Sequence, residues 1–384
     1  MTQNVWILML AQAFAMCAGP LVVFAGGLIG NQLASDSSLA TLPLAAMVLG
    51  TALAVYPAAS LASKFGRRLV FLGAMAIGMF ASILAAFSLH IESFFSFLFA
   101  AILIGIVLAC IQQFRFAAME SVDADLMPVA VSRLLVSGIL AAYLGPELVI
   151  IGQSLHEHTF MGAFYLLGGC FVAAFLLILF GYENNQISHK SCEQTQRSLS
   201  EILFNPGILL AIGSAAVGFA VMSFIMTATP ISMYELSHFS LEETKWVIQS
   251  HIMAMFIPSL FTGWLVKKLG FSIIIWAGII IYITCLIIAY WDQTLIHYWS
   301  SLILLGVGWN LLFVSGTALL PKMHQVNEAH KVQGLNDFIV FSAQAITSLG
   351  SGALLMLLGW QGLVWVALPI ILIQVVLLLN WRCT

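Results

Sequence analysis

Twelve apolar runs of about 20 residues or more follow one another along this chain, parted by short polar breaks. They lie near 5 to 30, 39 to 62, 69 to 88, 94 to 115, 130 to 152 and 160 to 181, and then near 207 to 235, 245 to 266, 271 to 290, 297 to 320, 333 to 356 and 361 to 380. A helix of such length crosses the hydrocarbon of a bilayer and closes its own backbone hydrogen bonds, which no solvent can satisfy there. The fold class predicted is therefore an all-α membrane protein with twelve transmembrane helices, whose constant partner is the lipid bilayer. Composition agrees. Hydrophobic residues make up 61% of the chain and charged residues 8%, against about 45–50% and about 25% in ordinary soluble domains.

The same features exclude other classes. The net charge of −3 comes without a basic tract, so no nucleic-acid partner is expected. The six cysteines, at 17, 110, 170, 192, 285 and 383, form no CxxC pair, and four of them fall inside apolar runs, which argues against a disulfide framework. The first run is too long for a signal-peptide core and is expected to remain as a span. There is no nucleotide-binding loop, nucleophile motif or polar catalytic cluster, so the chain is expected to be no enzyme, to need no cofactor and to act as a monomer.

The longest polar stretch, 182 to 206, separates six runs from six. It predicts an N-terminal six-helix bundle over 1–181, a cytoplasmic central loop over 182–206 and a C-terminal six-helix bundle over 207–384. With the N-terminus inside, Lys64, Arg67, Arg68, Arg115, Arg133, Lys190, Arg197, Lys267, Lys268, Lys322, Lys331 and Arg382 all fall on one face, and Lys245 alone of the 13 cations falls on the other. Such segregation places the basic face in the cytoplasm, so a multi-pass protein of the cytoplasmic (inner) membrane with both termini cytoplasmic is predicted. Asp36, Glu92, Glu157, Glu242, Glu243 and Asp292 then face outward.

The halves share a local repeat. Leu61-Ala62-Ser63-Lys64-Phe65-Gly66 lines up with Leu265-Val266-Lys267-Lys268-Leu269-Gly270, each between the second and third runs of its half. The run Leu61 to Arg68 resembles the cytoplasmic loop signature of the major facilitator superfamily, matching it at Lys64, Gly66, Arg67 and Arg68 and departing from it where Ala59 replaces a glycine and Ser63 an aspartate. The resemblance, extended by the six-plus-six layout, implies the major facilitator fold: two bundles that rock about a central cavity, with substrate near the midplane. It also implies a conformational role for Lys64, Gly66, Arg67 and Arg68. Gly66 and Gly270 are expected to keep side chains out of the way as the bundles close.

Inside the membrane the candidate chemistry is soft. Met222 and Met226 lie four residues apart in the seventh run, and His251 and Met255 four apart in the eighth, so each pair shares a helix face. Thioethers with a neutral imidazole favour Cu(I) over hard cations, and no carboxylate accompanies them. Methionine is also an ordinary packing residue, and 16 of them produce roughly 0.7 such Met pairs by chance; Met75 and Met79 form a pair without a histidine. From spacing alone, metal ligation and simple packing both stand. The two motifs together resemble the signature of CcoA-type copper importers, a facilitator branch that supplies copper for assembly of cbb3-type cytochrome oxidase. That resemblance implies copper as the transported substrate and Met222, Met226, His251 and Met255 as its ligands. The related branch includes riboflavin transporters, so the alternative is an organic solute such as a riboflavin-like vitamin or a drug-like compound, in a cavity for which 27 Phe and 10 Trp supply aromatic lining. Glu147 and Asp337 are candidate proton-coupling carboxylates. Gly145-Pro146 in the fifth run reads as a kink or close-packing site.

Overall fold

Long apolar sequences with small residues at intervals should form helices that pack backbone to backbone, interrupted where Gly, Pro or a polar pair breaks the pattern. The computed structural model describes residues 2–123, 126–155, 160–183, 205–325 and 328–383, and is helical nearly throughout. In chain order the helices are α1 (Gln3–Ala15), α2 (Ala18–Leu33), α3 (Leu42–Phe65), α4 (Arg67–His90), α5 (Phe94–Ile111), α6 (Phe114–Glu120), α7 (Met127–Leu155) and α8 (Met161–Gly181). They continue as α9 (Pro206–Ile231), α10 (Leu241–Phe256), α11 (Ser259–Leu269), α12 (Phe271–Trp291), α13 (Leu295–Met323) and α14 (Ala329–Cys383).

Among the described residues, ten helical stretches are long and apolar enough to cross a membrane, and the pair α10–α11, bent by 41°, makes an eleventh. The last stretch, Val332–Trp381, contains Gly359 at φ 68° and ψ −179°, a non-helical residue that divides it into two arms. These arms correspond to the two final runs of the sequence, so the described residues hold twelve candidate spans. The structure adds breaks that hydropathy does not show. The first span is interrupted between α1 and α2, where the Cys17 amide reaches only to the Phe14 carbonyl at 3.2 Å, and the fourth between α5 and α6. Large apolar side chains lie bare on the outside, Phe95 at 81%, Phe180 at 82% and Trp291 at 78% exposure, which suits contact with lipid and would be costly in water.

The chain forms two compact units, Met1–Ser188 with Ser240–Gln249, and His189–Phe239 with Ser250–Thr384. In the first unit, α3 and α5 meet through reciprocal glycines: a Cβ on Gly50 would collide with the Ile102 carbonyl, and one on Gly105 with that of Met47. Gly145 serves α7 in the same way, since a Cβ there would stand 2.8 Å from the Cys17 carbonyl and 2.8 Å from Pro20. The Gly145-Pro146 pair is thus a close-packing site. In the second unit α9 is the hub, with 83% of its apolar window buried against 33–61% for the other single spans. Its small residues allow this. The Gly218 carbonyl accepts a hydrogen bond from Tyr282 at 2.7 Å, and Ser214 one from Gln374 at 2.6 Å. Helix α9 is started by Asn205, whose side-chain oxygen caps the amides of Gly207 and Ile208 at 2.9 and 3.2 Å, with Pro206 at the first position. Of the predicted central loop, residues 184–204 lie outside the described residues; at its near end the Asn4 amide donates to the Glu183 carbonyl at 2.9 Å and accepts from the Glu183 amide at 3.1 Å.

Candidate functional site

The backbone of the loop signature explains its residues. Gly66, between α3 and α4, has φ 85° and ψ 148°; Gly270, between α11 and α12, has φ 86° and ψ 159°. The sequence repeat is therefore a backbone repeat, in a region almost confined to glycine. Around Gly270 an added Cβ would meet nothing within 4 Å. The positive φ is by itself a reason for glycine at this position, apart from any need to keep side chains clear as the bundles close. Arg67 forms a two-pronged ion pair with Glu120, the last residue of α6, through Nε to Oε2 and Nη2 to Oε1. Arg68 donates to the Leu179 carbonyl at 2.6 Å. Lys64 lies 5.3 Å over the ring of its neighbour Phe65. Ser63, where the superfamily signature has aspartate, turns its hydroxyl back to the Ser60 carbonyl at 2.8 Å. The carboxylate that meets Arg67 thus comes from α6, which sequence reading missed; its signal was an acid at the inner end of the fourth run.

A second charged group lies in the same unit. Lys245 on α10 contacts Glu147 of α7 at 3.0 Å and also Glu242 one turn back, and its side chain is nearly buried. Gln249 donates to the Tyr143 carbonyl at 2.8 Å and to Glu147 at 3.4 Å. The single cation that the sequence left on the outer side is therefore held by two acids, one of which is Glu147, the candidate proton carrier. Asp337, the other candidate, lies on α14 in the second unit, where it accepts from Asn336 at 3.0 Å.

The predicted metal ligands all fall in the second unit. Met222 and Met226 on α9 are 2% and 4% exposed, and His251 and Met255 on α10 are 0% and 8% exposed. The His251 Nδ1 lies 2.7 Å from the Leu302 carbonyl of α13. A carbonyl can only accept, so Nδ1 carries the hydrogen and Nε2 presents a lone pair. That Nε2 is buried and has no hydrogen-bond partner among the described residues. The approach is allowed by Gly306, one turn along from Leu302, whose Cβ would stand 2.6 Å from the His251 carbonyl. Below it, Asn310 clasps the bend between α10 and α11: its amide donates to the Met255 carbonyl at 2.7 Å and to Ser259, and its oxygen accepts from Thr262 at 2.6 Å. Among the described residues no three of His, Cys, Asp or Glu are grouped so as to hold a metal ion.

The same unit holds an aromatic cluster that no motif announced. Trp309 and Phe313 on α13 stack with ring centres 4.9 Å apart and planes 14° apart. Phe219 of α9 stands edge-on to both, at 5.1 Å in each case. Phe341 of α14 lies 6.3 Å from Phe219, and Phe256 of α10 lies 6.4 Å from Trp309. Four helices contribute, so no window of sequence contains the cluster. On α9, Phe219, Ser223 and Met226 fall on one face, since steps of four and seven residues return within about 40° of the start. Two buried polar atoms of these residues lack a hydrogen-bond partner among the described residues: Trp309 Nε1 and Ser223 Oγ. Leaving such a donor dry costs about 1–3 kcal/mol, a strain that a bound acceptor relieves.

Residues 210–382 match the family model described as Major Facilitator Superfamily. The chain is 35% identical over 378 residues to the riboflavin transporter RfnT of Brucella anthropi, covering 97% of this chain and 94% of that one. It is 29% identical to the uncharacterized MFS-type transporter YddS of Bacillus subtilis, over 91% of this chain and 83% of that one. In fold it is similar to the human organic anion transporter MFSD10 (TETRAN), with a TM-score of 0.70 and 13% identity over 98% of this chain and 99% of that one.

Proposed function

Since the chain belongs to the major facilitator superfamily and is therefore a multi-pass membrane transporter of the alternating-access type, we propose that its cargo is an uncharged organic solute of the riboflavin kind. The observation that carries this reading is the 35% identity to a riboflavin transporter along nearly the whole of both chains. The aromatic cluster of the second unit supports it, because flat conjugated rings are what such side chains bind best. In this reading the two six-helix bundles, residues 1–181 and 207–384, rock about the midplane, and the Gly66 and Gly270 turns set the angle between consecutive spans at corresponding places in the two halves. The test is uptake of labelled riboflavin by a riboflavin-requiring bacterium, with and without this chain. Growth on low riboflavin and saturable uptake are expected; neither appearing would overturn the proposal.

A second reading, copper import, is favoured by one specific feature: the bare, buried Nε2 of His251, held by the Leu302 carbonyl in the tautomer a metal ligand needs, on the same helix face as Met255. Its test is copper accumulation in cells expressing His251→Ala, or Met222→Leu with Met226→Leu, at matched membrane levels. Copper uptake by the unaltered chain, lost in these variants and kept in Met75→Leu with Met79→Leu, would establish it. Riboflavin uptake that survives His251→Ala, with no copper uptake by any form, would discard it.

A further inference from the structure

We propose that Trp309 reads a ring carbonyl of the cargo, donating its indole N–H to it while the cargo's flat ring packs in the cluster formed by Phe219, Phe256, Trp309 and Phe313. The inference rests on the organic-solute reading and names the chemistry of the site. Trp309 is 5% exposed, yet its Nε1 has no partner among the described residues. Indole N–H is a donor only, so whatever satisfies it must be an acceptor. The neighbours of Trp309 in the cluster are the rings of Phe219, Phe256 and Phe313, so the cluster itself offers a carboxylate no counter-charge. A neutral carbonyl on a conjugated ring meets both demands, because the ring stacks with or edges against phenyl groups while its oxygen accepts. Ser223 supplies a second anchor. It stands one helical turn from Phe219, is 1% exposed, and its Oγ is also without a partner among the described residues, so it can donate to a second ring acceptor or accept from a ring N–H. The ligand class is therefore a planar, uncharged heteroaromatic bearing ring carbonyls.

Trp360 provides an internal control in the same unit. Its Nε1 already donates to the Ala289 carbonyl at 2.8 Å, so it has no bond to offer a cargo. The experiment measures KM and maximal rate for riboflavin uptake in membrane vesicles bearing the full chain, for wild type, Trp309→Phe, Ser223→Ala and Trp360→Phe. Trp309→Phe keeps an aromatic ring and removes only the donor, so KM should rise about tenfold, the value of one neutral hydrogen bond in a dry site. Ser223→Ala should raise KM severalfold, and Trp360→Phe should leave it unchanged. The same variants are then offered riboflavin analogues with the oxygen of one ring carbonyl replaced by sulfur, a weak acceptor. For the analogue altered at the carbonyl that Trp309 reads, wild type and Trp309→Phe should have equal KM. A Trp309→Phe KM within twofold of wild type for riboflavin, or an equal loss for riboflavin and every analogue, would overturn the assignment while leaving the transport reading intact. Failure of wild type itself to take up riboflavin would overturn both.

Discussion

Gly66 and Gly270 show how far single residues can be read. Their equivalence was visible in the chain as a six-residue repeat, and the structure gives both the same backbone, φ 85° and 86°. The cause was not visible, because spacing says where a glycine recurs and nothing about its φ. Gly263 and Gly270 make a clean comparison, since an added Cβ meets nothing within 4 Å at either position, and only Gly270 has a positive φ. Gly270→Ala should lower the thermal midpoint of the detergent-purified protein, at a cost of about 1–3 kcal/mol for forcing a Cβ into that region. Gly263→Ala, inside α11, should be neutral or stabilising by up to about 1 kcal/mol. Equal midpoints for the two variants would remove backbone conformation as the reason for Gly270. Arg67 teaches the complementary lesson. The basic loop was legible, but its partner Glu120 lies 53 residues away with no pattern to connect them.

At the scale of elements, the spans were legible almost to their ends and the breaks within them were not. Hydropathy averages over a window and is insensitive to one residue of irregular backbone, so the interruption at Cys17 and the 41° bend between α10 and α11 pass through it unseen. Pro258 hints at the bend, but what holds it is Asn310, between three and four turns from the end of α13 and fully buried. Replacing it by a leucine of similar size removes the clasp on Met255, Ser259 and Thr262. Asn310→Leu should cost about 1–3 kcal/mol for the Met255 carbonyl left dry, seen as a lower thermal midpoint. Because α10 carries Gln249, His251 and Phe256 on one rigid piece, transport should fall as well. A variant with unchanged midpoint and uptake would show that Pro258 alone sets the bend. The aromatic cluster belongs to this scale too: each helix contributes one or two rings, and only packing makes them a group.

For the whole molecule, the distribution of cations along the chain carries the most information. Twelve of 13 fall in segments that would share one face if twelve spans alternate, and a single miscounted span would scramble that pattern. The exception, Lys245, has its charge held between two acids, Glu147 and Glu242, so it contributes little free positive charge to its side. The expected orientation therefore has both termini in the cytoplasm, with the Gly66 and Gly270 turns on the cytoplasmic face. Single cysteines introduced in a chain with its own six replaced, and labelled from outside with an impermeant maleimide, test this directly. Cys17, Cys110 and Cys285 are buried, so their replacement by alanine or serine leaves no surface change to confuse the readout. Cysteines at Asp36, Glu92 and Asp292, all in breaks between spans, should label in intact cells. Those at Lys64, Lys268 and Lys322 should label only after the membrane is opened. Labelling of the Lys64 position in intact cells would invert the orientation. Labelling at Asp36 together with protection at Asp292 would break the alternation between halves and with it the count of twelve.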